Sequence, residues 1–298
     1  MKLSVTVPFI DVGGDPVVVR DFAQAAEGLG YDGLGAPDHV LGANVANRPD
    51  WGNRNTSQDC FHDPFVLFGF LAACTKFVEF STQVMILPQR QTALVAKQAA
   101  SLDVLSGGRF RFGIGIGWNE VEYLGLNESF KNRGKRSVEQ VEVMQKLWAE
   151  PHMTFAGEWH TIDDAGINPL PPKRRIPLWF GGHEDVTLRR IAKFGDGWIM
   201  LAHGIGDKAK AEFEKLRGYA KEAGRDPAAI GIEVWVSTGA GTPDDWRKEL
   251  TAWKALGVTH ATVNSTYARG PHARIAGRSM AAHVEAMTQY RAAVADLL

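Results

Sequence analysis

Apolar and polar residues follow one another along this chain as short alternating segments and longer segments with helical spacing. Residues 3–9 alternate and are rich in β-branched side chains, whereas residues 16–29 carry apolar side chains at helical spacing up to Gly30. The same pair of patterns recurs to the end of the chain. The predicted strands are 3–9, 31–36, 78–87, 110–116, 177–180, a stretch ending at 201, 230–237 and 258–263. The predicted helices are 16–29, 64–74, 92–105, 135–148, 186–192, 208–223, 244–256 and most of 272–298.

Eight strands that alternate with helices over 298 residues are typical of a (β/α)8 TIM barrel. The helices supply the crossover connections that parallel neighbours need. A doubly wound sheet is the competing fold, but it favours a dinucleotide fingerprint after the first strand, and residues 11–14 do not form one. No glycine- or serine-rich linker divides the chain, so we predict a single domain over residues 1–298.

Three connections stand out by length or composition. Residues 42–59 are polar, rich in Asn and Gly, and too long for a plain connection, which indicates a lid or a mobile segment. Residues 119–131 are predicted to form a polar loop. Residues 151–172 have hairpin-like and proline-rich character, and we interpret them as an insertion into the barrel.

The fourth predicted strand carries Gly113, Gly115 and Gly117 on one face. A large flat ligand could lie against a backbone without side chains, and close packing inside the barrel is an equal alternative. Trp118, at the end of this strand, likewise has two equal interpretations: an aromatic residue of the rim or core, or a ring that stacks on a ligand. Trp198 is more typical of a plain core residue.

TIM barrels carry their chemistry at the carboxyl ends of the strands. His39 at such an end either moves protons near neutral pH or caps the loop that it introduces. Gly181 and Gly182, before a helix, either cradle a phosphate or only make a turn. The other strand ends show no metal-ligand spacing and no Gly-x-Ser-x-Gly elbow, so we predict no metal site and no serine hydrolase. The strand ends are 11, 38–39, 89–90, 117–122, 181–183, 200–203, 237 and 264–269.

Charge and composition exclude some partners. A formal net charge of -1 and a pI near 6.8 give no electrostatic case for nucleic acid or an anionic membrane surface. The most apolar stretch, 65–74, is about half of the roughly 20 residues that a membrane helix needs. The first residues are typical of a strand rather than a signal peptide. Cys60 and Cys74 lack a metal-type spacing, and we expect reduced thiols in a cytoplasmic protein.

Several stretches, in order along the chain, resemble the bacterial luciferase-like flavin- and deazaflavin-dependent oxidoreductases. The most specific is the Leu-Asp-Val-Leu-Ser-Gly-Gly-Arg run at 102–109 together with the glycine strand that follows it. The similarity is greatest to the branch that uses coenzyme F-420, a deazaflavin, rather than FMN. The matching stretches are 37–39, 96–97, 102–109, 113–118, 122–123, 177–182 and 195–198.

The resemblance implies a luciferase-like TIM barrel that holds the cofactor ring at its mouth. It implies a non-prolyl cis peptide behind the ring at Gln83-Val84, and amides of Gly181 and Gly182 that hold the cofactor phosphate. His39 would be the catalytic residue, as a proton donor or acceptor. The cofactor-binding residues predicted in this way are Asp38, His39, Gln83, Val84, Gly117, Trp118, Gly181, Gly182, His183 and Ala202.

The expected reaction is hydride exchange between coenzyme F-420 and a small organic substrate. The alternatives are an FMN-dependent monooxygenase of the same family and a non-catalytic protein that only binds the cofactor. Sugar-phosphate dehydrogenases of the family carry a carboxylate just after the glycine strand, where this chain has Trp118, which argues against a sugar phosphate. Because the family often dimerises, a homodimer is a further expectation.

Overall fold

A closed parallel barrel forms the centre of the computed structural model, which describes residues 1–268 and 270–298. The barrel strands are β1 (Lys2–Thr6), β2 (Gly33–Ala36), β3 (Glu79–Thr82), β4 (Met85–Ile86), β5 (Phe110–Gly115), β8 (Leu178–Gly181), β9 (Gly197–Met200), β10 (Gly231–Ser237) and β11 (His260–Asn264). The sheet order is β3-β2-β1-β11-β10-β9-β8-β5-β4, and an additional β3–β5 pairing closes it. The predicted TIM barrel is thus confirmed.

Helices cover the outside of the barrel, in most cases where helical spacing predicts them. They are α1 (Phe9–Val12), α2 (Pro16–Gly28), α3 (Pro64–Cys74), α4 (Thr92–Leu105), α5 (Glu120–Gly125), α6 (Arg133–Ala149), α7 (Asp185–Phe194), α8 (Asp207–Glu222), α9 (Pro243–Ala255) and α10 (Met280–Ala293). Of the helices in the described residues, none has both the length and the hydropathy that a membrane crossing requires.

Three predicted boundaries are wrong. The polar loop predicted at 119–131 contains α5, because the Asn119 side chain caps the helix by accepting a hydrogen bond from the Val121 amide at 3.1 Å. The third predicted strand is interrupted between β3 and β4 at a cis Gln83-Val84 peptide. The first strand stops at Thr6, and Phe9 starts the short helix α1 instead of ending the strand.

Side chains alternate across β5 between the helices outside and the barrel interior inside. Phe112 faces outward, with its ring 5.8 Å from Phe65 of α3 and 6.4 Å from Trp148 of α6. Arg111 faces inward and pairs with Glu79, at 2.6 Å, and with Glu233. The outward face therefore buries aromatic surface, while the inward face carries charge, unlike the branched apolar layers usual in such barrels.

The buried interior network joins strands that are far apart in the chain. Glu233 of β10 is fully buried and accepts hydrogen bonds from Thr262 of β11, at 2.5 Å, and from Gln83 between β3 and β4. Burial raises the pKa of Glu233, but Arg111, together with the hydrogen bond from Thr262, holds the pKa below its ordinary value. The interior beneath the mouth is therefore fixed by hydrogen bonds and ion pairs rather than by apolar packing alone.

The glycine face of β5 is not left bare. A Cβ at Gly115 would stand 2.6 Å from a methyl group of Val84, and one at Gly117 would stand 2.7 Å from a methyl group of Ile86. Gly117 also has φ +66°, a conformation that favours glycine. The stripe therefore makes room for side chains of the neighbouring strand, so the packing alternative holds along β5 itself.

The segment predicted as an insertion forms an antiparallel hairpin of β6 (Met153–Ala156) and β7 (Thr161–Ala165). Glu139 of α6 accepts hydrogen bonds from the amides of Glu158 and Trp159, and it contacts Nδ1 of His160 at 2.7 Å. Through these contacts, one carboxylate attaches the hairpin to the barrel helix.

Candidate active site

The mouth of the barrel brings the predicted site residues into two adjoining groups. Six of them follow β2, β3 and β5: Asp38, His39, Gln83, Val84, Gly117 and Trp118. The other four end or follow β8 and β9: Gly181, Gly182, His183 and Ala202. Val84 joins the groups, because a Cβ at Gly181 would stand 3.0 Å from one of its methyl groups.

Asp38 is buried and directs its carboxylate toward the protein. It accepts hydrogen bonds from the Ile86 amide at 3.0 Å and from Arg90 at 2.7 Å, and Arg90 also pairs with Asp63 at 2.8 Å. Burial lowers the pKa of Arg90, but the two carboxylates prevail and raise it, so the guanidinium stays charged. The carboxylate of Asp38 thereby fixes the backbone of β4 just beyond Val84.

His39 forms a pair with Glu122 of α5. Its Nδ1 lies 3.2 Å and 3.3 Å from the two carboxylate oxygens, and the Val40 amide donates to Glu122 at 2.8 Å. Burial raises the pKa of Glu122, yet hydrogen bonds from His39, the Leu41 amide and Gln89 outweigh it, so the pKa lies below its ordinary value. An ionised Glu122 accepts a hydrogen bond from Nδ1–H of His39, which leaves Nε2 for chemistry.

Aromatic rings surround His39 at the mouth. Its ring centroid lies 4.8 Å from Phe61 and 6.0 Å from Trp118, and Trp118 in turn lies 5.6 Å from Trp51. The guanidinium of Arg54 lies over both indoles, at 5.1 Å and 5.2 Å. Trp51 and Arg54 belong to the long loop 42–59, so this loop covers the β2–β5 side of the mouth.

The Gln83-Val84 peptide is cis, as the resemblance predicts. Gln83 points down into the barrel, where its amide donates to Thr262 at 3.0 Å and to Glu233. Val84 lies against Gly115 of β5 and Gly181 of β8. The residues present fit a flat ring group, because a Cβ at Gly115 or Gly181 would crowd the isopropyl group that forms this surface.

The β8 turn is supported from below by the core. Trp198 is buried, and its Nε1 donates to the Gly182 carbonyl oxygen at 2.7 Å, which assigns it to the core as the sequence suggests. Gly182 has φ +106°, and α7 starts three residues later. The ring of His183 lies 5.7 Å from that of His203, which brings the β8 and β9 turns together. A helix N-terminus behind a glycine turn is suited to an anion.

Two residues that position the site are absent from the sequence predictions for it. Glu122 orients His39, and Arg90 holds Asp38. Both lie at strand ends that the barrel rule collects, but nothing in their spacing pairs them with residues 38 and 39. Across the described parts of the chain, no group of three or more His, Cys, Asp and Glu side chains is placed to hold a metal ion.

Comparison with known proteins places this geometry in a family. The luciferase-like monooxygenase model matches residues 11–296. An uncharacterized protein of Mycobacterium tuberculosis is 35% identical over 211 residues, which cover 68% of this chain and 71% of the relative. The pyrimidine monooxygenase RutA of Allorhizobium ampelinum is 33% identical over 176 residues, covering 56% of this chain and 47% of the relative. The chain therefore matches only about half of the length of that monooxygenase.

Among solved structures, an F-420-dependent secondary alcohol dehydrogenase in complex with an F-420–acetone adduct superposes with a TM-score of 0.76. The two chains are 20% identical, and the match covers 98% of each, which establishes the shared fold. The family model spans nearly the whole sequence, and the members of this family are flavin- or deazaflavin-dependent oxidoreductases. This chain belongs to the luciferase-like monooxygenase family and is an oxidoreductase of that kind.

Proposed function

We propose that this enzyme uses coenzyme F-420 to exchange a hydride with a small organic substrate at the barrel mouth. The observation that carries the proposal is the His39–Glu122 pair, with Nδ1 held at 3.2 Å and the ring bordered by Trp118. The deazaflavin, when bound, supplies or receives the hydride. His39 gives the substrate oxygen a proton or takes one from it through Nε2.

The surrounding residues orient the reactants and exclude water. Val84 and Trp118 would hold the cofactor ring, and Gly181, Gly182, His183 and Ala202 would hold its phosphate side. Asp38 would support the cofactor site indirectly by holding the backbone at Ile86, because its carboxylate already accepts hydrogen bonds from the Ile86 amide and Arg90. Trp51 and Arg54 lie against the ring of Trp118 and restrict the access of water to His39.

The second candidate is an FMN-dependent monooxygenase. It is supported by the 33% identity to a pyrimidine monooxygenase. A deazaflavin has carbon in place of the flavin ring nitrogen on which reaction with oxygen depends, so the identity of the cofactor decides between hydride exchange and oxygen activation.

Titration of the purified protein with each cofactor distinguishes the two candidates. Trp51 and Trp118 lie at the mouth, so we expect micromolar coenzyme F-420 to quench the intrinsic fluorescence. Gly182→Ala should weaken that binding, because φ +106° disfavours a side chain. Gly218→Ala, where the added Cβ meets nothing within 4 Å, is the control. Micromolar binding of FMN without binding of the deazaflavin would reverse the assignment.

We also propose that the protein is a cytoplasmic homodimer with one domain per chain. A homodimer is supported by exposed apolar side chains on and after α3, namely Val66, Phe70 and Phe77. Light scattering on the purified protein measures its mass in solution. The cytoplasmic location and the single domain over 1–298 stay predictions.

A further inference from the structure

The far side of the mouth, on β10 and β11, carries a second aromatic pair. Trp235 lies on the inward face of β10, two residues beyond the buried Glu233 and on the same face of the strand. Tyr267 follows β11, and its ring is stacked on Trp235 with centroids 5.7 Å apart and an interplanar angle of 13°. Asn264 fixes Tyr267 by donating to its carbonyl oxygen at 2.7 Å and accepting from its amide at 2.9 Å.

The phenol of Tyr267 lies near two acidic residues that follow β1 and β2. Burial raises the pKa of Tyr267, and the nearby charges of Asp11 and Asp59 raise it further. Asp11 belongs to α1, which follows β1, and Asp59 ends the long loop after β2. The phenol therefore lies at the carboxyl ends of the strands, on the same side of the barrel as His39.

Both polar atoms of the pair lack a partner. Neither Nε1 of Trp235 nor Oη of Tyr267 is exposed to solvent, and neither has a hydrogen-bond partner among residues 1–268 and 270–298. Buried donors without partners are costly to retain, and a hydrogen-bond acceptor on a ligand would supply the missing partner. Indole N–H only donates and phenol O–H also donates, so the group that fits is a hydrogen-bond acceptor.

The charges around the mouth favour an uncharged acceptor. Arg90 is paired with Asp38 and Asp63, and Arg274 holds Asp11 at 2.7 Å and 2.9 Å. Arg54 lies exposed on the rim, over the indoles of Trp51 and Trp118. Because Arg90 and Arg274 are already paired with carboxylates, an anion beside Trp235 and Tyr267 would gain little from either of them, whereas a neutral carbonyl oxygen requires no counter-charge.

We propose that Trp235 and Tyr267 determine specificity by donating hydrogen bonds to the oxygen of a neutral carbonyl substrate. The proposal rests on the proposed function, because it names the substrate class of that same site. The carbonyl group would lie beside this pair, at the same end of the barrel as His39. Phosphorylated and carboxylated substrates should bind more weakly.

The test is isothermal titration calorimetry of the protein saturated with the cofactor that it binds, or of the free protein if it binds neither. The probes are cyclohexanone and acetophenone, with cyclohexanecarboxylate and benzoate as carboxylates of similar shape. We expect at least one ketone to bind at least about tenfold more tightly than its matched carboxylate. Tyr267→Phe and Trp235→Phe should each weaken ketone binding by roughly 3- to 10-fold.

Tyr290→Phe is the matched control, because it also removes a buried hydroxyl without a described partner, but next to Trp246 between α9 and α10. It should leave ketone affinity unchanged. Carboxylates that bind as well as ketones, absence of ketone binding, or ketone binding unaffected by both variants would each refute the proposal. A Tyr267→Phe variant that loses cofactor affinity instead would assign the pair to the cofactor. Failure of both cofactors to bind would refute the proposed function, while the ketone titration of the free protein still decides this inference.

Discussion

The two sides of the barrel mouth treat their polar groups in opposite ways. On the β2–β5 side, Asp38 and Glu122 are each held by several donors, and His39 is oriented by Glu122. On the β10–β11 side, Trp235 and Tyr267 are stacked but have no hydrogen-bond partner among the described residues. A paired group is preorganised before any ligand arrives, whereas an unpaired donor gains its partner only from the ligand.

Under the proposed function, the paired polar groups position the residue that transfers the proton, and the unpaired polar groups recognise the substrate. Groups that transfer protons must keep one geometry, and a carboxylate behind the imidazole provides it. Groups that select a substrate gain discrimination when the wrong ligand leaves them unsatisfied. Substitutions on the paired side should therefore lower turnover, and substitutions on the unpaired side should lower affinity.

The largest expected effect follows from His39→Ala. Loss of the proton-transferring imidazole should reduce turnover by about 10²–10⁴-fold, with little change in melting temperature, because His39 is at the mouth rather than in the core. Turnover is followed by the deazaflavin absorbance in the presence of a ketone that binds. His152→Ala, on the exposed β6 approach, is the control. Unchanged turnover in the His39 variant would remove the proton role.

A smaller effect should follow from Glu122→Gln. The variant keeps the shape of the side chain but removes the charge that orients His39, and we expect kcat to fall by roughly 10²-fold with KM nearly unchanged. Glu120→Gln changes an exposed carboxylate on the same helix and should have no such effect. A rise in KM with kcat unchanged would instead assign Glu122 to substrate binding.

The smallest expected effect is on stability at acidic pH. The folded-state pKa of Glu122 lies below its ordinary value of 4.5, so the folded protein favours the ionised form. The stability that Glu122 contributes is therefore present above that ordinary value and is lost as the pH falls through the folded-state pKa. Urea unfolding from pH 7 to pH 3.5 should show the difference between wild type and Glu122→Gln shrinking at the acid end, and a constant difference would contradict this.

The sequence predicts the barrel because the alternation of strands and helices is local and repeated. It also predicts the cis Gln83-Val84 peptide through the resemblance, and the structure confirms this bond. It does not predict α5, since a polar helix of six residues with a side-chain cap looks like a loop when read by polarity alone.

Pairings across the chain are beyond the reach of sequence patterns. Arg136 of α6 is buried against the Pro88 carbonyl, and Glu139 of the same helix holds the hairpin, and neither contact follows from a sequence pattern. His39 and Glu122 are likewise 83 positions apart. Only the closed barrel brings such groups together, so their roles follow from the structure rather than from their spacing.

The charged network inside the barrel has a consequence for how the chain folds. Arg111 and Gln83 come from the first half of the chain, whereas Glu233 and Thr262 come from the second half. In a half-built barrel, Arg111 would have Glu79 alone, and burial of an incompletely neutralised charge opposes closure. The charge of Arg111 is therefore fully neutralised only when the last strands join the first ones, which favours closure of the complete barrel over a stable half barrel.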